Sequence, residues 1–158
     1  MKVFISHQQA DTSVAAAIAH RLKVRHQIDS YLDAIDPYIS RPGEDIADYI
    51  RGVMNGCTQL LAVVSPSTKA SQWVPWEIGV ATEKDFPLAT FGSNVLVIPE
   101  FLEKWPFLSS MEDLDEYGKA SREARQSFTQ KRARLTETAA LHDSTREFYR
   151  NLRSRLGQ

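Results

Sequence analysis

Apolar positions in the first hundred residues alternate between two spacings. Lys2–Ser6, "KVFIS", is a short run rich in β-branched and aromatic side chains and predicts a buried strand. From Asp11 to Lys23 the apolar residues Val14, Ile18 and Leu22 fall every fourth position. That spacing predicts a helix, with Asp11, Thr12 and Ser13 as capping side chains at its front. Ile28–Asp36, "IDSYLDAID", predicts a second strand, and "PYISRPGED", with two prolines and a glycine, an ordered loop after it. Glu44–Asn55 gathers Ile46, Tyr49, Ile50, Val53 and Met54 on one helical face, and Asn55-Gly56 ends that helix. Thr58–Ser65, "TQLLAVVS", is a continuous apolar run, as expected of a strand covered on both faces. "SQWVPWEIG", Ser71–Gly79, starts a third helix that runs to about Lys84, and Asn94–Phe101, "NVLVIPEF", predicts a fourth strand.

Residues 102–120 read as irregular, with Pro106 and Gly118 as breaks. From about Ser121 to Leu156 there is neither Pro nor Gly, and Leu135, His142, Tyr149 and Leu156 recur at intervals of seven, joined by Phe148 and Leu152. This predicts one long helix, or two with a bend near Leu141–Asp143. Strands alternating with helices predict an α/β fold: three layers, a central mostly parallel sheet and helices on both faces. The expected organisation is one domain over residues 1–120, with residues 121–158 as a helical C-terminal extension packed on it.

Composition narrows the function classes. The 158 residues are 42% hydrophobic and 25% charged, which suits one globular domain with a sizeable core. A net charge of −1 gives no strong pull toward nucleic acid or an anionic membrane. The charge is unevenly placed, net +5 over residues 121–158 and −6 before them. That imbalance fits a solvated amphipathic helix, or a docking surface for an acidic partner. The single cysteine, Cys57, excludes an intrachain disulfide, suggests no metal site, and reads as a packed thiol. No apolar run approaches the ~20 residues of a membrane-spanning helix, and "MKVFISHQ" is too short in its apolar part for a signal peptide. The cytosol is the expected compartment.

Candidate chemistry collects where an open α/β sheet holds ligands, beyond the carboxyl ends of its strands. "SHQQ" after the first strand, the Pro37–Gly43 loop, "SPSTKASQW" after the third strand and the start of the third helix all belong there. Pro75 suits the first helical position, which places Glu77 in the first turn, facing unpaired N–H groups and the positive end of the helix dipole. A carboxylate so placed accepts hydrogen bonds from hydroxyls and stabilises developing positive charge; a ribose diol offers the first and an oxocarbenium-like sugar the second. Equally, Glu77 merely caps its own helix. Trp73 suits an anchor of the loop to the core, while Trp76 and Tyr38 are each able to stack on a flat heterocycle or to sit at an assembly contact. His7 follows a buried strand as a pocket wall or a structural histidine, and Arg41 is a phosphate contact or an exposed loop arginine. The chain has no GxGxxG, P-loop, HExxH or CxxC pattern, and "SPS" at 65–67 lacks a GxSxG context.

The order of these pieces carries a resemblance. "VFISHQQAD", "LDAIDPYISRPGEDI", "LLAVVSPSTKASQWVPWEIGVA" with its Trp and a Glu four residues on, and "VLVIPEFL" together resemble a Toll/interleukin-1 receptor (TIR) domain of the bacterial type, over about residues 2–102. The resemblance implies a flavodoxin-like fold. It also implies cleavage of NAD, as substrate and with no separate cofactor or metal, at the nicotinamide–ribose bond. Glu77 matches the family's catalytic glutamate and would engage the ribose hydroxyls. The family's loop before the second helix matches Asp36–Gly43, where Asp36, Tyr38 and Arg41 would face the nucleotide. Ser6 and His7 match the end of the first strand that lines the pocket, and Trp73 matches the family tryptophan. Gln8, Gln9 and "VPWE" depart from the common pattern, and residues 103–158 match no family motif.

A chain of this size resembles the stand-alone TIR enzymes of Thoeris-type antiphage systems, which turn NAD into a cyclic ADP-ribose-type signal read by a separate effector. Other TIR proteins simply deplete NAD. A non-catalytic module that assembles with other TIR protomers is the alternative from a different class. On the enzyme reading the expected partners are NAD, further TIR protomers in a homo-oligomer on activation, and the effector; neither nucleic acid nor membrane is expected.

Overall fold

Five short parallel strands in the order β2-β1-β3-β4-β5 form the central sheet of this computed structural model, which describes residues 1–33, 43–92 and 100–158. In chain order the elements are β1 (Lys2–Ser6), α1 (Thr12–His26), β2 (Asp29–Asp33), α2 (Gly43–Asn55), β3 (Gln59–Val63), α3 (Trp73–Glu83), β4 (Leu88–Phe91), β5 (Phe107–Leu108), α4 (Met111–Lys131) and α5 (Glu137–Leu156). Short 3-10 turns lie at Gln9–Asp11, Pro66–Ala70 and Glu100–Leu102.

Strand side chains alternate between two apolar layers, which is why β1 and β3 carry no polar alternation. Val3, Ile5, Leu61, Val63, Ala89 and Phe91 pack with Ala15, Ile18 and Leu22 of α1 and with Leu114, Tyr117, Phe148 and Leu152 of α4 and α5. Phe4, Leu60, Ala62, Val64 and Leu88 face the other way, onto Ile46, Ile50 and Met54 of α2 and Val74, Ile78 and Ala81 of α3. The fold is flavodoxin-like: helices cover both faces of a parallel sheet. The chain lays β2 on one side of β1 and β3 on the other, so the connections out of β1 and β3 diverge and leave a crevice at their carboxyl ends. Among the described residues no helix is long and apolar enough to cross a membrane.

Several expectations need correction. No side chain caps α1: the 3-10 turn feeds straight into it, Thr12 Oγ1 donates to Gln9 O, and the Asp11 carboxylate accepts from Ser65 Oγ at 2.7 Å instead. The predicted fourth strand over Asn94–Phe101 lies outside the described residues up to 99, and Glu100–Leu102 is a 3-10 turn. The strand after α3 is "LATF", Leu88–Phe91. The stretch read as irregular holds β5 and the first half of α4, which starts at a Ser110–Asp113 capping box. The C-terminal helices separate at Arg132–Thr136 rather than near Leu141–Asp143, because Thr136 Oγ1 accepts from Ala139 N and caps α5.

Gly118 does not break α4; it admits a neighbour. A Cβ there would lie 2.5 Å from His26 Cγ, so glycine lets the imidazole of α1 rest directly on α4. His26 Nδ1 accepts from Arg122 at 2.8 Å, since a guanidinium only donates, and Nε2 therefore donates to Asp115 at 3.0 Å. Arg21 donates twice to Asp115, at 3.0 and 2.7 Å, and holds its carboxyl well below the usual carboxylate range. Nearby, Tyr117 OH and Ser121 Oγ of α4 both donate to the buried Gln59 Oε1, at 2.9 Å each.

Alanine at 118 would gain about 1 kcal/mol of helix propensity. Displacing the His26 ring and its two polar contacts costs more, as overpacking does. Gly118→Ala should therefore lower the free energy of urea unfolding by about 1–3 kcal/mol. In a His26→Ala chain the same substitution should be neutral or stabilising. A loss of equal size in both backgrounds would show that the ring is not the obstacle.

Candidate active site

Three polar residues are sunk in the apolar rim at the carboxyl end of β1. Ser6 is 0% exposed, His7 2% and Glu77 1%. Ser6 ends β1, which lies between β2 and β3, so its side chain emerges at the crevice. Glu77 comes from α3, the helix that follows β3, and Ser6 Oγ donates a hydrogen bond to its Oε2. A carboxylate taken this far from water is costly unless hydrogen-bonded, so the serine is part of what allows Glu77 to be there.

Glu77 is not in the first turn of its helix. α3 begins at Trp73, where Ser71 Oγ accepts from Val74 N at 3.1 Å, so Pro75 is its third residue and Glu77 its fifth. Proline is tolerated at that place because the first turn's N–H groups have no intrahelical acceptor. The helix dipole acts mostly within the first turn, so Ser6 takes over the role that the sequence assigned to the helix end.

His7 Nδ1 lies 3.1 Å from Ile5 O, which fixes the proton on Nδ1 and leaves Nε2 as an acceptor. That nitrogen meets no hydrogen-bond partner among the described residues. Trp73 and Trp76 are half-buried against the α2–α3 layer and stack edge to face, with centroids 5.6 Å apart. Trp73 packs as a core anchor, and its ring holds Trp76 beside the turn that carries Glu77. Asp36, Tyr38 and Arg41 lie outside the described residues.

One pair escaped sequence reasoning. Ser65 Oγ donates to Asp11 at 2.7 Å and accepts from Ser67 N at 3.2 Å, tying the segment after β3 to the segment after β1. The two residues are 54 positions apart. The available signal was that each follows an apolar strand within a few residues, on strands that pair in parallel. Among the described residues no three His, Cys, Asp or Glu side chains are grouped to hold a metal.

A family model described as the TIR domain matches residues 3–135. The match covers most of the chain, so the chain belongs to the TIR domain family. No curated protein matches the chain.

Ser6→Ala should leave the Glu77 carboxylate short of a donor and lower unfolding free energy by about 1–3 kcal/mol. A double-mutant cycle with Glu77→Gln should give a coupling within about 0.5–3 kcal/mol. Strict additivity of the two single changes would mean that Glu77 stands independently of Ser6.

Proposed function

We propose that this TIR domain is an NAD-cleaving enzyme with Glu77 as its catalytic residue. The observation that carries the reading is a single carboxylate, 1% exposed, tethered by Ser6 at the end of the central strand. Parallel α/β sheets hold their ligands at such a place. TIR domains assemble with one another, and many cleave NAD.

In the reaction, the bond from nicotinamide N1 to ribose C1′ breaks, and its electron pair leaves with neutral nicotinamide. Positive charge builds on the ribose as an oxocarbenium-like centre. The Glu77 carboxylate accepts hydrogen bonds from the ribose hydroxyls and faces that charge in a water-poor site, where electrostatic stabilisation is strongest. The cation is then captured in one of two ways. Water adds to C1′ and releases a proton, giving ADP-ribose. Alternatively an adenine nitrogen bonds to C1′, giving a cyclic product one water lighter.

We favour the cyclic product. Trp76, together with Tyr38, would form an apolar wall that folds the adenine back and keeps water out. Asp36 and Arg41 would contact the nucleotide, and His7 Nε2 would accept from a substrate hydroxyl or amide. In this reading the chain acts in the cytosol, on activation as a homo-oligomer. It is a Thoeris-type antiphage sensor whose product a separate effector reads.

Purified protein at high concentration is incubated with NAD beside Glu77→Ala, and products are followed by HPLC and mass spectrometry. Nicotinamide should appear only with the unmodified chain, and the companion mass should be that of the cyclic species. If no nicotinamide forms while Glu77→Ala retains binding to other TIR protomers, the chain is an assembly module and the enzyme reading fails. Trp76→Ala should raise the ratio of ADP-ribose to cyclic product several-fold; an unchanged ratio would remove Trp76 from the wall.

A further inference from the structure

A second cavity, of about 400 Å³, lies at the opposite end of the sheet. Its floor is built where β1 and β3 begin and where the chain enters β4, from Met1, Gln59, Phe86 and Pro87. Its roof is the α4–α5 hairpin, through Arg125, Phe128, Thr129, Arg132 and Leu141. The size falls within the range of small-molecule sites. It is distinct from the Glu77 site, because β1 runs from Lys2 at this end to Ser6 at the other, about 13 Å of extended chain.

The lining has a definite charge. Arg132 lies over the Phe128 ring at 5.5 Å and is matched by Glu137 at 4.0 Å. Arg125 makes no side-chain hydrogen bond or ion pair among the described residues. The wall thus carries one unmatched guanidinium beside Phe86, Pro87, Phe128 and Leu141. The floor adds a donor. Gln59 is 3% exposed, and its Oε1 is occupied by Tyr117 and Ser121. Its Nε2 reaches only the Met1 thioether, at 3.7 Å, a weak acceptor that an anionic oxygen would better replace.

We propose that this cavity is a binding site for a small organic anion: an aromatic or aliphatic body seated on the apolar floor, with a single carboxylate, sulfonate or phosphate held by Arg125. Among the described residues Arg125 is the side-chain cation of this lining that has no partner, and a concave apolar site with such a cation suits a small organic anion rather than a nucleic acid, whose recognition takes several phosphate contacts.

The probe is 1-anilinonaphthalene-8-sulfonate, which has apolar rings and one sulfonate, titrated by fluorescence into the full chain. One saturable site per chain is expected. Arg125→Glu and Thr129→Trp, both at exposed helical positions, should each weaken binding at least ten-fold while keeping the circular dichroism of the unmodified protein. Octanoate should displace the probe and octanol should not. Glu77→Ala should bind it unchanged. The proposal is overturned if the titration does not saturate at one per chain, if both cavity variants bind as the unmodified chain does, if octanol competes as well as octanoate, or if Glu77→Ala abolishes binding.

Discussion

A carboxylate buried to 1% exposure needs a donor, and Ser6 supplies it to Glu77. The rest of the architecture follows from the requirement that these two groups meet. Ser6 must end a strand covered on both faces, so β1 sits inside the sheet with β2 and β3 as neighbours. Glu77 must come from the helix that leaves β3, so α3 has to pack Val74, Ile78 and Ala81 onto the sheet to set its rotation. An exposed Glu77 would need none of this. Removing Ser6 from a buried one would take away a donor that offsets part of the cost of its burial. The Ser65–Asp11 bond repeats the arrangement one layer out and fixes the segments after β1 and β3 against each other.

The elements legible in the sequence share a property: their signal is local. "KVFIS" and "TQLLAVVS" read as covered strands because nothing polar interrupts them, and α2 reads as a helix because its apolar face is wide. β4 was missed because "LATF" is four residues long and follows a proline. The start of α4 was hidden by Gly118 and by a buried face that includes Ala120, Ser121 and Ala124, small side chains that leave little apolar rhythm. The break before α5 was misplaced because Arg132–Leu135 contains no residue that disfavours a helix; a hydroxyl cap at Thr136 decides it.

The site divides along the same line. Ser6 and Glu77 were legible as residues, and their partnership was not, since 71 positions separate them. The helix-dipole account of Glu77 failed because it assumed that Pro75 opens the helix, whereas the Ser71 hydroxyl starts it two residues earlier. Gly118 shows the opposite error. Read locally, a glycine is a helix breaker, yet here the missing side chain makes room for His26 of another helix. Both errors arise where a long-range contact overrides a local preference.

The matched TIR region ends at residue 135, immediately before α5. Beyond it, α5 inserts Phe148 and Leu152 into the same apolar layer as α1 and α4. Tyr149 OH donates to Phe86 O at 3.3 Å and accepts from Leu88 N at 3.2 Å, fixing the entry to β4; burial pushes this hydroxyl up to about 12. Arg155 joins α5 to Glu116 and Glu123 of α4, and Lys131 joins α4 to Glu147 of α5, so part of the basic excess of the C-terminal segment is matched within the hairpin. These pairs are partly exposed and contribute little individually. Their consequence is placement. With α5 anchored through Tyr149, the end of α4 is held over the start of the sheet. Arg125 then lies on a wall where no acidic side chain among the described residues reaches it, and this fixed roof separates a cavity from an open groove.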